Sequence, residues 1–272
     1  MAYDVIILAG QSNAEGNGVG ATLIPYESDE RILIMRDNQW YGYVKDENGK
    51  DKLFLHEPYE FVTEVAKERK NGDNECGMFV LSFAKKYVEN GLLADGRKLL
   101  IINAAIGGTG FARPEWGVGN VLHERLFAML KQADLGEDDK IVAFLWHQGE
   151  HDAFENAHFS PSERYEFYRL SLTNAVKDVR KRVNNDRLPF IAGEFCHEWW
   201  DQNKEICDPV IKALKDVCGD IGCAAVVSSE GLKSNNQSTG NTDVIHFCRD
   251  ALVTLGNRYF DAFEEIAGVK NV

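Results

Sequence analysis

Apolar residues along this chain fall into two alternating patterns. Short, near-continuous runs occur at residues 5–9 (Val-Ile-Ile-Leu-Ala), 99–102, 141–146, 189–192 and 224–227. Runs of that length, rich in β-branched residues, read as strands buried on both faces of a parallel sheet. Between them lie stretches of helical spacing. Phe79, Phe83, Tyr87 and Val88 mark one face of residues 78–89, which Asn90-Gly91 closes. Residues 121–132, 164–183, 210–217 and 250–266 repeat that period. Strand and helix in alternation predict an α/β fold: a three-layer α/β/α sandwich around a central parallel sheet.

Residues 40–55 break the alternation. An aromatic arm (Trp40-Tyr41-Gly42-Tyr43), a turn sequence (Asp46-Glu47-Asn48-Gly49) and a second apolar arm (Leu53-Phe54-Leu55) predict an inserted hairpin. No repeat, low-complexity tract or linker divides the 272 residues, so one domain over residues 1–272 is expected.

Composition narrows the partners. A net charge of −13 argues against nucleic acid and anionic membrane, both polyanions. No run of about 18 apolar residues is present, so no membrane span is expected. Six dispersed cysteines without a C-x-x-C pair read as buried thiols in a reducing compartment. The start of the chain lacks a basic segment followed by a longer apolar one, so a cytoplasmic location is expected, with secretion open if a signal has been removed. The pattern carries no signal of oligomeric state.

Four polar segments fall at predicted strand ends, on one rim of the sheet: Gly10-Gln11-Ser12-Asn13, Ala105-Ile106-Gly107-Gly108-Thr109-Gly110, Trp146-His147-Gln148-Gly149-Glu150 and Asp243-Val244-Ile245-His246. Each supplies one need of acyl transfer. A serine hydroxyl becomes a nucleophile when a base takes its proton, which casts Ser12 and His246 in those roles. A carboxylate three residues earlier, Asp243, reaches the far ring nitrogen and steadies the imidazolium. Backbone N–H groups at Ser12 and at the glycine-rich turn, with the Gln148 amide, are candidate donors to an oxyanion.

In that order the segments resemble the consensus blocks of the SGNH hydrolase superfamily, in its carbohydrate-esterase branch of acetyl xylan esterases and sialate O-acetylesterase-like proteins. The blocks G-Q-S-N, G-G-T, Q-G-E-x-D and D-x-x-H run here from Gly10 to His246. The resemblance implies an SGNH/flavodoxin-like fold, Ser12 as nucleophile, His246 as base and Asp243 as its orienter. It implies an oxyanion hole from the N–H groups of Ser12 and Gly108, rather than Gly107, and the Gln148 side chain, with no cofactor or metal. The implied activity is removal of O-acetyl groups from carbohydrates such as acetylated xylo-oligosaccharides or sialic-acid-like sugars. The expected partner is therefore a small-molecule or oligosaccharide acetyl ester. Ala14 and His151 depart from the branch pattern without removing a catalytic group, and bear on substrate shape.

Rival readings stay open at this point. His147-Gln148-Gly149-Glu150-His151 matches H-x-x-E-H, a zinc-hydrolase signature, although Gly149 and the preceding strand-like run disfavour the helix it needs. A non-catalytic carbohydrate-binding protein and a lipid esterase of the same superfamily are further alternatives. Among the aromatics Trp40, Tyr41, Tyr43, Trp116, Trp199 and Trp200, the expected sugar contacts are Trp116, Trp199 and Trp200.

Overall fold

The computed structural model describes residues 2–38, 41–71 and 74–269. Its strands are β1 (Ala2–Gly10), β2 (Ile32–Asp37), β3 (Tyr41–Lys45), β4 (Asp51–Leu55), β5 (Phe61–Val65), β6 (Arg69–Asn71), β7 (Asn74–Cys76), β8 (Arg97–Asn103), β9 (Lys140–His147), β10 (Phe190–Gly193) and β11 (Ala224–Val227). Its helices are α1 (Ser12–Glu15), α2 (Phe79–Glu89), α3 (Val121–Gln132), α4 (Glu150–Glu155), α5 (Pro161–Arg182), α6 (His197–Gln202), α7 (Lys204–Ile221), α8 (Asn235–Thr239) and α9 (Arg249–Ala267).

Seven strands form the main sheet in the order β11-β10-β9-β1-β8-β2-β5. All pair in parallel except the edge strand β5, which runs antiparallel to β2. Strand periodicity explains the layers, because successive side chains leave opposite faces of a sheet. From β1, Val5, Ile7 and Ala9 enter one core with residues of α3, α5 and α7. Ile6 and Leu8 enter the other core, with residues of α2 and α9. β8 and β9 divide in the same way, Ile102 and Phe144 facing the first core, Ile101 and Leu145 the second. The mostly parallel sheet with helices on both faces is the expected sandwich.

The hairpin is present as β3 and β4, paired antiparallel from Tyr41 opposite Leu55 to Lys45 opposite Asp51. Trp40 lies outside the described residues. Two strands of the main sheet were not foreseen: β2, where Ile32-Leu33-Ile34-Met35 is apolar enough to have been read, and the edge strand β5, whose Val62 and Thr63 are exposed. α5 begins three residues earlier than the predicted 164, because Ser160 and Glu163 form a reciprocal cap around Pro161. α7 is longer than the predicted 210–217, with Pro209 accommodated inside it.

Among the described residues, no helix is long and apolar enough to cross a membrane. Among the described residues, no disulfide joins the cysteines.

Candidate active site

β1 and β9 are neighbours, and their ends build the floor of the site. Gly10 closes β1 with φ 126, and a Cβ there would lie 2.2 Å from the His147 carbonyl oxygen, so only glycine fits. The Gln11 N–H donates to that same carbonyl at 2.9 Å. The chain then turns straight into α1, with Ser12 as its first residue. A first-turn N–H has no acceptor one turn earlier, so the Ser12 amide is left available beside its own hydroxyl.

His246 arrives from the segment between α8 and α9. Its Nε2 lies 2.7 Å from Ser12 Oγ, and its Nδ1 lies 2.8 and 3.0 Å from the two Asp243 oxygens. Asp243 also accepts from Asn235 Nδ2 at 2.8 Å and from the His246 N–H at 3.2 Å. Burial alone would raise the Asp243 carboxyl, but the hydrogen bonds from His246 and Asn235 outweigh it and hold the group at about 2. An ionised Asp243 accepts the Nδ1 proton, which leaves Nε2 as the lone pair facing the serine hydroxyl.

Asn13 locks this arrangement to the sheet. Its Nδ2 donates to Ile245 O at 3.2 Å and to Glu150 Oε1 at 2.9 Å, and its Oδ1 accepts the Phe247 N–H at 3.1 Å. The two residues flanking His246 are thus clamped by the neighbour of Ser12. Neither Asn13 nor Asn235 was singled out from sequence. Asn13 stood inside the Gly-Gln-Ser-Asn block and was readable there; Asn235 sits in an ordinary helix-capping sequence and carried no signal.

The glycine-rich turn after β8 faces Ser12 across the cleft. The Gly107 N–H is committed to Glu15 Oε2 at 2.9 Å. The Gly108 N–H meets no acceptor among the described residues. Glu15 is a buried hub that also takes Arg69 Nη1 at 2.7 Å and the Tyr41 hydroxyl. Tyr43 places its hydroxyl 3.0 Å from both the Gly107 and Gly108 carbonyl oxygens. Glu15 went unnoticed in the sequence because its partners come from β3 and β6, far away along the chain.

Gln148 departs from expectation. It is fully buried, and its Nε2 lies 2.7 Å from Asp152 Oδ2, 3.2 Å from Thr109 O and 3.3 Å from Gln11 Oε1. A carboxamide has two N–H donors, and three acceptors already surround them. Gln148 therefore ties β9 to the glycine-rich turn rather than presenting a free donor to the cleft. Its partner Asp152 also accepts the N–H groups of Phe111 and Ala112, at 3.0 and 2.6 Å. Burial nonetheless pushes the Asp152 carboxyl up to about 6.

The tryptophans separate. Trp116 is 2% exposed, donates to Thr109 Oγ1 at 2.9 Å and packs edge-on against Trp146, so it belongs to the core and not to the substrate surface. Trp200 points its indole N–H at Asp208, 2.7 Å away, with Lys215 over its ring, and does not line the cleft. Trp199 does line it, as does Phe154 on α4, an aromatic 68% exposed that sequence reasoning passed over. The cleft above Ser12 and His246 has a volume of about 710 Å³, a size typical of small-molecule sites.

The H-x-x-E-H segment does not form a metal cradle. It runs from the last residue of β9 into α4, whereas the zinc signature needs both histidines on one helix face. His147 is fully buried, with Nδ1 3.0 Å from the Tyr259 hydroxyl, and burial pushes its imidazole down to about 3. His151 instead neighbours Glu155 at 3.8 Å. Among the described residues, no group of three or more His, Cys, Asp or Glu side chains is placed to hold a metal ion.

Comparison with known proteins follows the same line. No curated protein matches the chain. Among solved structures, NanS matches with a TM-score of 0.71 at 15% identity, covering 98% of each chain. A protein from Arabidopsis thaliana gives 0.66 at 20% identity, covering 96% of this chain and 98% of its own. A carbohydrate acetylesterase from Xanthomonas citri gives 0.63 at 14% identity, covering 99% of this chain and 57% of its own. At such identities these likenesses speak for the fold. The model of the family described as "carbohydrate esterase, sialic acid-specific acetylesterase" matches residues 2–265. With nearly its whole length inside that match, the chain belongs to the sialic acid-specific acetylesterase family of carbohydrate esterases, which are carboxylic ester hydrolases.

Proposed function

We propose that this protein is a serine esterase that removes O-acetyl groups from carbohydrates, with Ser12, His246 and Asp243 as its triad. The observation that carries the reading is the unbroken relay from Ser12 Oγ through His246 to Asp243, with separations of 2.7 and 2.8 Å. Ser12 Oγ attacks the acetyl carbonyl carbon as its proton passes to His246 Nε2. The carbonyl oxygen, now negative, is met by the N–H groups of Ser12 and Gly108. Collapse expels the sugar oxygen, which takes the proton from His246, and the acetyl group stays on Ser12. Water then attacks the acyl-enzyme by the reverse relay and releases acetate.

Family membership supports an acetyl ester of a sugar as the substrate. Trp199 and Phe154 on the cleft wall offer apolar faces to a sugar ring. The net charge of −13 supports a partner that is neither nucleic acid nor anionic membrane, and six dispersed cysteines without a C-x-x-C pair support a reducing compartment.

Hydrolysis of 4-nitrophenyl acetate in EDTA, by wild type and Ser12→Ala side by side, tests the reading. The expected result is wild-type turnover that resists the chelator and falls by at least about 10³-fold in the variant. Equal rates in the two proteins would remove Ser12 as nucleophile.

A further inference from the structure

The donor assigned to Gly108 sits in a Gly107–Gly108 pair, where no Cβ resists rotation of the intervening peptide. In that planar unit the Gly107 carbonyl and the Gly108 N–H point in opposite directions. Whatever holds the carbonyl therefore aims the donor. The Tyr43 hydroxyl lies 3.0 Å from the Gly107 carbonyl oxygen and donates its proton between that oxygen and the Gly108 carbonyl oxygen. The preceding peptide unit is held from the other side, because Glu15 Oε2 takes the Gly107 N–H at 2.9 Å. Glu15 is in turn fixed by Arg69 at 2.7 Å and by the Tyr41 hydroxyl. Both tyrosines belong to β3, in a two-stranded sheet separate from the main one.

We propose that the inserted hairpin is a positioning element for the oxyanion hole. Tyr43 and Glu15 hold the peptide units on either side of Gly107 so that the Gly108 N–H faces the nucleophile. The proposal rests on the reading of Ser12 and Gly108 given above and adds residues that touch no reacting atom. Tyr43 is a positioning residue: without its hydroxyl the peptide rotates freely, and the N–H is aimed at the oxyanion only part of the time. Substrate in its ground state carries little charge on the carbonyl oxygen, so its binding is left nearly unchanged.

Tyr43→Phe tests this, because it keeps the ring and removes only the hydroxyl. Turnover is measured on 4-nitrophenyl acetate and on an acetylated sugar, and expressed per acyl-enzyme site titrated. For both substrates kcat is expected to fall by about 10- to 100-fold, with KM within about twofold and the acid limb of the pH profile in place. Wild-type turnover per titrated site overturns the proposal, whether the variant is fully folded or partly unfolded. A rise in KM confined to the sugar, with kcat unchanged, also overturns it by making Tyr43 a sugar contact. Ser12→Ala is assayed in parallel to keep the two readings apart. If Ser12→Ala is inactive and Tyr43→Phe is not impaired, only the positioning role fails; if Ser12→Ala is active, the nucleophile assignment fails.

Discussion

Asp243 shows how a single residue sets the pH behaviour of the site. With its carboxyl held at about 2, it stays ionised across the whole working range. The acceptor of the His246 Nδ1 proton is therefore in place wherever the protein works. A general base must be unprotonated to take the Ser12 proton, so kcat/KM is expected to fall on acidification, and activity indifferent to acid would contradict His246 as the base. Asp243→Asn removes the carboxylate that accepts the Nδ1 proton and favours the opposite tautomer. A loss of about 10³- to 10⁴-fold in kcat is expected, with a near-native circular dichroism spectrum; an unchanged rate would take Asp243 out of the mechanism. These residues were legible in the chain because their chemistry depends on residue type and block order. Asn235 and Glu15 were not, since their value lies in partners far away along the sequence.

At the scale of elements, the junction between β9 and α4 carries the main revision. Gln148 reads as an oxyanion donor from its place in the block, yet its amide bonds Asp152, Thr109 and Gln11 and so braces three segments against one another. Gln148→Ala would take one donor from each of those buried acceptors, with Asp152 keeping the N–H groups of Phe111 and Ala112, at a cost of about 1–3 kcal/mol. The expected outcome is a lower melting temperature together with reduced kcat. Loss of kcat with an unchanged melting temperature would return Gln148 to the oxyanion hole. Most helices and inner strands were readable because burial imposes a clear period on them. Edge strands such as β5 alternate weakly, with one side facing solvent, and boundaries such as the start of α5 depend on caps more than on apolar spacing.

For the whole molecule, we propose that the chain folds as one cooperative domain. The sheet separates two cores, one containing Leu172 and the other Phe79, both with no exposed surface. Phe79→Ala and Leu172→Ala create cavities on opposite sides of the sheet, at expected costs of about 3–5 and 2–5 kcal/mol. Because the two side chains belong to separate clusters on opposite faces of the sheet, the double variant should lose the sum to within about 0.5 kcal/mol. Calorimetry is expected to show one transition that both substitutions move. Two transitions, each moved by one substitution, would divide the chain into separate units.

The sequence by itself determined the alternation of strands and helices, the hairpin and the four segments gathered on one rim, because these follow from local period and from side-chain chemistry. It also carried the family, through four short blocks in order from Gly10 to His246. Only the tertiary structure decided which donors are free. Gly107 is occupied by Glu15, Gln148 is saturated by its neighbours, Trp116 is sealed in the core, and Phe154 opens onto the cleft. A hydrogen-bonding group is available to a substrate only if nothing else in the folded chain has claimed it, and such claims come from residues distant in sequence. That is why Ser12, His246 and Asp243 could be singled out from the chain as candidates, while the contact of Tyr43 with the glycine-rich turn emerged only from the fold.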